Sequence, residues 1–430
     1  MRAPQERLDY LDAVRAFALT LGIVFHAGLS FLPVAIGWAV MDVSTSPVVA
    51  IAVLVSHSFR MELFFLIAGF FSHMTYHRVG LAGFLRSRFT RLVVPFVVGW
   101  FVLRPLLVSG WIMGYTSVRG EVDIAAGLKG GVQSLAAMPL SSYFAGTHLW
   151  FLYYLCMITS GVVALSAARA AIGHRAQRLV GGADAAFAWL GASRFAILVL
   201  AVPTAGALWF MRGWGMDTPD QTLRPHLPVL LVYGGFFAFG WLLHRNVHLI
   251  PAFTRMTSAR WIVAGAAIVV TVLLSGIERD WGHPDRARVH LVYVLSYAVM
   301  MWSLVFLTIG AFQRLMHGAN RAVRYLADAS YWLYLIHLPI VVWLQVAVAE
   351  LPVHWSVKIL GISVATIGIA LVTYDLCVRA TFVGRILNGR RRPRCLFGHA
   401  DSSPETSAAD DVVADRRPLR FRSAEKPPGP

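Results

Sequence analysis

An arginine and a histidine, Arg15 and His26, lie eleven positions apart in the apolar segment LDYLDAVRAFALTLGIVFHAGLSF near the start of the chain. A guanidinium binds anions and an imidazole exchanges protons near neutral pH, so the pair suits phosphate binding and general base catalysis. The segment is long and apolar enough to span a membrane as a helix. Eleven residues make about three turns, which places both side chains on one helix face, about 16 Å apart. Ionisable groups on a membrane helix face protein or water and not lipid, so the pair indicates a functional site.

Other ionisable side chains lie within or at the ends of later apolar segments. Such residues are costly inside a membrane and usually serve a function. Histidines there are candidates for proton transfer, and arginines are candidates for bidentate binding of phosphates or carboxylates. The further candidates are His57, Arg60, Glu62, Arg88, Arg91, Arg104, His148, His337 and Asp375.

The composition is typical of a polytopic membrane protein. Of the 430 residues, 57% are hydrophobic and only 14% are charged, which is less charge than a soluble domain carries. We predict an all-α fold, a polytopic membrane helix bundle with about ten transmembrane helices. The predicted spans are 11–32, 50–73, 92–112, 147–168, 195–211, 228–244, 261–277, 289–312, 330–349 and 354–378.

The basic residues orient this bundle with both termini in the cytoplasm. In that orientation every predicted inside segment contains Lys or Arg, and the first and last outside loops contain none. The net charge of +16 is therefore assigned to membrane topology, and no nucleic-acid partner is predicted. We predict a cytoplasmic segment at 1–10, a transmembrane domain at 11–378 and a basic, mostly disordered cytoplasmic tail at 379–430. The three cysteines lack metal-ligand spacing, so no metal site is predicted.

This orientation sorts the candidates into two levels, with Glu62 near the midplane. The outer half contains His26, His57, Arg60, Arg104 and His148. The inner half and its edge contain Arg15, Arg88, Arg91, His337 and Asp375. Each candidate also has a structural alternative, such as pairing of Arg15 with Asp12, packing of a histidine against the backbone, or an i, i+4 pair of Asp375 with Arg379.

Several of these segments, in order, resemble the integral-membrane acyltransferase 3 family. Arg15 and His26 match an R-x10-H signature in the opening helix, and FRMELFFLIAGFF (59–71) is similar to an FFxISGFF segment. FLRSRFTRLVVPF (84–96) places Arg88 and Arg91 on the arginines of a basic RxxR segment. HLWFLYYL begins at His148, and SYWLYLIH ends at His337. The resemblance spans about 7–378, and the ending at 374–391 is most similar to a glucan-modifying subgroup.

The resemblance implies an enzyme of the bacterial inner membrane that transfers an acyl group from cytoplasmic acyl-CoA to a hydroxyl of a carbohydrate or lipid-linked acceptor. For the subgroup it implies succinyl transfer to periplasmic glucans. Acyl-CoA is then a donor substrate, and no tightly bound cofactor is expected. Arg88 and Arg91 would hold the CoA phosphates, and Arg15 would guide the donor. His26 is the expected general base.

The remaining roles are inferred from the predicted depth of each residue in the membrane. Glu62 is predicted to orient the His26 imidazole, as the third group of a catalytic triad does. Arg60 or Arg104 would bind the carboxylate of a succinyl group, and His148 and His337 would contact substrate. An alternative is a transporter or permease of a polar or anionic substrate, in which the same side chains line a path. The sequence leaves the acyl group, the acceptor and the oligomeric state open.

Overall fold

Helices form all the regular structure of the described residues in this computed structural model, which are 9–117, 122–136, 147–213, 215–280, 282–316, 318 and 320–396. No β-strand occurs among them, which confirms the predicted all-α class. The helices are α1 (Asp9–Gly28), α2 (Pro47–His57), α3 (Arg60–Arg88), α4 (Val94–Ser117), α5 (Ile124–Gln133), α6 (Trp150–Ile172), α7 (His174–Ala192), α8 (Ala196–Leu208), α9 (Leu227–Arg245), α10 (Ile250–Phe253), α11 (Ser258–Glu278), α12 (Arg286–Leu315), α13 (Arg321–Val348), α14 (Trp355–Thr373) and α15 (Phe382–Asn388).

Eight stretches of the described residues are long and apolar enough to cross a membrane. A bent pair, Gln177–Ala192 with Ala196–Leu208, would add a ninth crossing. One of the eight, Pro47–Tyr115, has 69 residues. It comprises the three helices α2, α3 and α4, so its residues do not form one straight span. Each of the ten predicted spans coincides with at least one helix, while the number of crossings and their orientation stay predictions.

The first helix lies at the centre of the bundle, where it contacts α3, α12, α13 and α14. Asp9 and Asp12 lie in its first turn, where carboxylates favour the positive end of the helix dipole. Apolar side chains on several of its faces, among them Val14 and Ile23, are fully buried. A helix that is apolar on every side and surrounded by other helices provides a fixed frame for the two ionisable side chains that it carries.

Two helices approach so closely that only glycine fits between them. A Cβ at Gly69 in α3 would lie 1.9 Å from the carbonyl oxygen of Phe237 in α9. A Cβ at Gly240 in α9 would lie 1.8 Å from the carbonyl oxygen of Leu66 in α3. This reciprocal contact of small residues is the usual way in which membrane helices reach close packing. It fixes α3, whose first residue is Arg60.

The second predicted span, 50–73, is two helices, which corrects the sequence prediction. Ser46 accepts a hydrogen bond from the backbone of Val48 and caps α2, and the helix ends at His57. Phe59 then has a non-helical backbone (φ −138°, ψ −14°) before α3 starts at Arg60. The Ser58 hydroxyl donates to the Val55 carbonyl at this break and competes with continuation of the helix. His57 and Arg60 are therefore on different helices and not one turn apart on the same one.

Part of the predicted C-terminal tail is folded. It contains α15, and the Asp375 carboxylate accepts hydrogen bonds from the backbone N–H groups of Cys395 and Leu396 at 2.9 and 3.0 Å. Asp375 also lies 3.9 Å from Arg379, which is the i, i+4 pair expected from the sequence. These contacts hold the chain up to residue 396 against the bundle. Residues 1–8 and 397–430 of the predicted terminal segments lie outside the described residues.

Candidate active site

A cavity of about 720 Å³ is enclosed by the C-terminal end of α1 together with α2, α3, α4, α6 and α13. Segment 36–38, which follows α1, and the described residues of segment 213–221, which follows α8, complete its wall. The cavity brings together most of the candidates that the sequence assigned to the outer level. The ionisable candidates that line it are His26, His57, Arg60, Arg104, His148 and His337.

Three histidines from three helices share one wall of the cavity. The ring centroids of His26 and His337 are 5.2 Å apart, and those of His148 and His337 are 6.0 Å apart. His148 and His337 are 8% and 4% exposed. Imidazoles take up and release protons near neutral pH, so the contact between these rings indicates a site for proton transfer.

The position of His337 corrects its predicted depth. The sequence analysis placed it in the inner half, 7 residues into a span that began at 330. The helix instead begins at Arg321, because the Asn320 side chain caps it by accepting hydrogen bonds from the backbone of Ala322 and Val323. His337 is therefore more than four turns into α13, at the level of His26.

Backbone carbonyls orient two of the three imidazoles. The His337 Nδ1–H donates to the carbonyls of Leu333 and Tyr334 at 3.1 and 2.8 Å, which leaves Nε2 as its proton acceptor. The His148 Nε2–H donates to the carbonyl of Leu335 at 2.8 Å, which leaves Nδ1 as its acceptor. The ring of His26 has no hydrogen-bond partner among the described residues, and its Nδ1 is buried. Of the three imidazoles, His26 is thus the one whose ring nitrogens make no hydrogen bond to a backbone carbonyl of the described residues.

Two buried arginines give the cavity positive charge. Arg60 is 5% exposed, its guanidinium carbon lies 4.0 Å from the ring centroid of Phe25, and its Nη1 has no hydrogen-bond partner. Arg104 is also 5% exposed and lies over the ring of Trp100 at 4.7 Å. Guanidinium groups bind carboxylates and phosphates through paired hydrogen bonds, so buried arginines at a cavity wall favour an anionic ligand. The cavity can therefore accept an anionic group beside the histidines.

The structure does not bring Glu62 to His26, which corrects the predicted carboxylate–imidazole pair. Glu62 is fully buried, does not line the cavity, and has no hydrogen-bond partner for either carboxylate oxygen. Its electrostatic partners are Arg60, Tyr233 and Tyr297. The reason is the break before α3: the helix restarts at Arg60, so Glu62 lies in its first turn and faces α9 and α12 instead of α1.

The predicted donor-binding arginines form a second group, away from the cavity. Arg91 interacts electrostatically with both Arg15 and Arg88, so the three lie together towards the N-terminal end of α1. None of them lines the cavity. Arg15 donates to the Ala327 carbonyl at 2.6 Å and lies 3.6 Å from Asp12, so the anchoring pair considered from the sequence is present. The candidates therefore form two separate groups, one at the cavity and one around Arg15, and their depths in the membrane stay predictions.

Several cavity residues were not anticipated from the sequence. Trp38, Asp217 and Asp220 lie in segments outside the predicted spans, where nothing in the residue pattern indicates what they face. Trp111 was an apolar residue at the end of a predicted span. Gln345, which does not line the cavity but bonds to Trp38, was a detectable signal, because an uncharged amide within an apolar helix needs partners as an ionisable group does.

The described residues contain no group of three or more His, Cys, Asp or Glu side chains placed to hold a metal ion. The three histidines of the cavity are included in that search. The ring nitrogens that point at backbone carbonyls are already bonded, so the geometry supports proton transfer, substrate contacts and anion binding by the residues themselves.

Comparison with known proteins identifies the family of this chain. The model of the acyltransferase 3 family, an acyltransferase domain, matches residues 8–375. The chain is 24% identical over 403 residues to glucans biosynthesis protein C of Escherichia coli (strain K12), a match that covers 90% of this chain and 96% of the relative. The same protein of Escherichia coli O81 (strain ED1a) matches with the same identity and coverage. No solved structure matches the chain.

The family match includes every residue proposed here for the site, from Arg15 to His337, and excludes only the ends of the chain. Both the helical membrane fold and the cavity at one end of α1 lie within it. The chain belongs to the acyltransferase 3 family and is a membrane acyltransferase.

Proposed function

We propose that this enzyme transfers an acyl group from acyl-CoA to a hydroxyl of a glucan or another envelope carbohydrate on the opposite side of the bacterial inner membrane. The observation that carries the proposal is the cavity in which His26, His148 and His337 meet two buried arginines. The group formed by Arg15 of the central helix with Arg88 and Arg91 supports a separate site for an anionic donor.

The reaction needs a base, because a sugar hydroxyl is a weak nucleophile. His26 accepts the hydroxyl proton as the oxygen attacks the thioester carbonyl, and the C–S bond then breaks. The proton passes from the imidazolium to the departing CoA thiolate, so the products are an ester and free CoA. His337 lies beside His26 and presents its unbonded Nε2, which suits a second proton-accepting contact to substrate.

The donor is proposed to enter at the arginine group. Arg88 and Arg91 match the predicted nucleotide-binding pair, and the side chain of Arg88 is more than half-buried beside the ring of Phe84. Guanidinium groups bind phosphates bidentately. The long pantetheine arm of CoA then carries the thioester along α1 towards His26, about 16 Å away from Arg15 along the helix axis.

The acyl group is proposed to be succinyl and the acceptor a glucan. The relatives are named for glucan biosynthesis, and arginines line the cavity, Arg60 and Arg104 among them, with which a carboxylate on the acyl chain would pair. A neutral acyl group such as acetyl would make no charge pair with these arginines.

The test compares the envelope glycans of a deletion strain with those of strains that express the wild type or His26→Ala, by mass spectrometry. We expect one glycan class to gain one acyl unit with the wild type and to lose it with His26→Ala. His73→Ala is the control, since His73 is a buried histidine that bonds to His244 at 2.8 Å and does not line the cavity. Unchanged glycans in the deletion strain would contradict the acceptor. Substrate accumulation in vesicles without any acyl donor would favour a transporter.

A further inference from the structure

The segment between α1 and α2 closes the outer side of the cavity and is firmly anchored. Its Asp42 carboxylate is 1% exposed and accepts two hydrogen bonds from the Lys358 ammonium, at 2.7 and 2.8 Å. The backbone N–H groups of Asp42 and Ser46 donate to the carbonyls of Ser30 and Phe31, both at 2.9 Å. This anchoring sets the position of Trp38, which lines the cavity.

Trp38 is coupled to the candidate base by one buried amide. The Gln345 side chain, 1% exposed, accepts a hydrogen bond from the Trp38 indole N–H at 2.9 Å. Its Nε2 donates to the backbone carbonyls of His26 and Ala27 at 2.9 and 3.1 Å. A buried amide bonded at both ends holds its partners in one arrangement. The Trp38 and His26 rings are accordingly stacked, with centroids 5.8 Å apart and planes 19° apart.

Around Trp38 the cavity combines aromatic faces with hydrogen-bonding groups. Trp111 stands edge-on to Trp38 at 5.1 Å and lines the same cavity. Segment 213–221 contributes Asp217, Asp220 and Gln221 to the lining. The Asp217 carboxylate is held in place by the backbone N–H of Gly213 at 2.6 Å.

This combination fits a sugar ring and not an acyl chain. A pyranose has an apolar C–H face, which packs on an aromatic face because the C–H hydrogens meet the negative side of the π system. Its rim carries hydroxyls, which donate to carboxylates and exchange hydrogen bonds with an amide. An acyl chain would use the aromatic wall and make no hydrogen bonds with Asp217, Asp220 or Gln221.

We infer that Trp38 is the platform on which a sugar ring of the acceptor packs beside His26, and that Gln345 is a positioning residue that holds this platform. The inference rests on the proposed function, because it assigns the acceptor side of the same cavity. Segment 213–221 would contact the hydroxyls at the rim of that ring. The reactive hydroxyl then lies next to the imidazole that removes its proton, and Gln345 keeps both groups in register.

The test measures binding of laminaritriose to the purified protein without acyl-CoA, and the KM values for laminaritriose and for acyl-CoA in the full reaction. Trp38→Ala should weaken laminaritriose binding and raise its KM about tenfold, while the KM for acyl-CoA stays within about twofold. Trp343→Phe is the matched control: its indole N–H bonds to the Leu106 carbonyl at 2.8 Å, and it does not line the cavity.

Gln345 is tested through the bond that it shares with Trp38. Trp38→Phe and Gln345→Leu remove that bond from either end, so each should raise the acceptor KM, and the double variant should be little worse than either single one. Purely additive effects, or a parallel rise in the KM for acyl-CoA, would overturn the positioning role.

The sugar platform and the proposed acyl transfer can be refuted independently of each other. An unchanged laminaritriose affinity in a Trp38→Ala protein that melts like the Trp343→Phe control would overturn the sugar platform and leave acyl transfer intact. Wild-type protein that binds laminaritriose through Trp38 but transfers nothing from acyl-CoA would overturn the proposed function and support the platform.

Discussion

Alanine at two glycines of the same helix, α9, should change stability in opposite directions. At Gly240 a Cβ would lie 1.8 Å from the Leu66 carbonyl oxygen. Real Cβ atoms essentially never come closer than 3.0 Å to such an atom, so the contact is about 1.2 Å too short. A backbone carbonyl cannot relieve the clash by changing rotamer as a side chain can, so α3 and α9 must move apart. At Gly235, one and a half turns away, nothing lies within 4 Å, and the residue is exposed.

The magnitudes follow from these two environments. Overpacking of a filled interface costs about 1–3 kcal/mol, and a backbone collision puts Gly240→Ala at about 3 kcal/mol or above. Gly235→Ala removes the conformational freedom of glycine without a clash and should stabilise the helix by about 0.5–1 kcal/mol. Leu66 lies about 9 Å along α3 from Arg60, so separation of the helices should also lower activity.

The assay is thermal unfolding of the detergent-solubilised protein, followed by the fluorescence of a thiol-independent dye and by monodispersity on size exclusion. Gly240→Ala should melt several degrees below the wild type, and Gly235→Ala at or above it. Equal shifts for the two variants, or a wild-type melting temperature for Gly240→Ala, would refute the close packing of α3 on α9.

Two further variants test the outer segment and the inner arginines. Asp42→Ala leaves the buried Lys358 ammonium without its carboxylate, so the free energy of unfolding should fall by about 3–5 kcal/mol. The double variant Asp42→Ala/Lys358→Met should recover most of the lost stability. A wild-type melting temperature for Asp42→Ala would contradict the stabilising role of the pair. Gly389→Ala adds a Cβ 2.0 Å from Nη2 of Arg91 at a positive φ (+80°), so it should displace that guanidinium and raise the KM for acyl-CoA. Gly173→Ala also places a side chain at a positive φ (+62°), but with nothing within 4 Å, and an equal rise in KM there would contradict the role of Arg91.

The helices were largely predictable because apolar length and periodicity are local properties. The prediction was wrong where local hydrogen bonding ended a helix inside an apolar run, as the Ser58 hydroxyl does, or where a cap extended one, as Asn320 does. Helix α5 lies in what the sequence presented as an outer loop, since its Gly- and Ala-rich sequence lacks a membrane-length apolar run.

The site was predictable in its ionisable members and not in their partners. His26 and Arg60 were identifiable because a charge in a membrane segment is costly wherever the helix lies. The contact of His26 with His337 depends on where α13 begins, and the distance of Glu62 from His26 depends on the break before α3. Trp38 reaches the cavity through a long-range amide bridge from Gln345, 307 positions away, which no local pattern encodes.

Acyl transfer by the purified protein in proteoliposomes tests the proposed reaction most directly. Labelled succinyl-CoA and a glucan are supplied, and both the label in the glucan and the release of free CoA are measured. We expect a base-labile ester in the glucan with an equal amount of CoA released, and a loss of about 10²-fold or more in His26→Ala. Transfer by His26→Ala at the wild-type rate, or movement of glucan without release of CoA, would contradict the account.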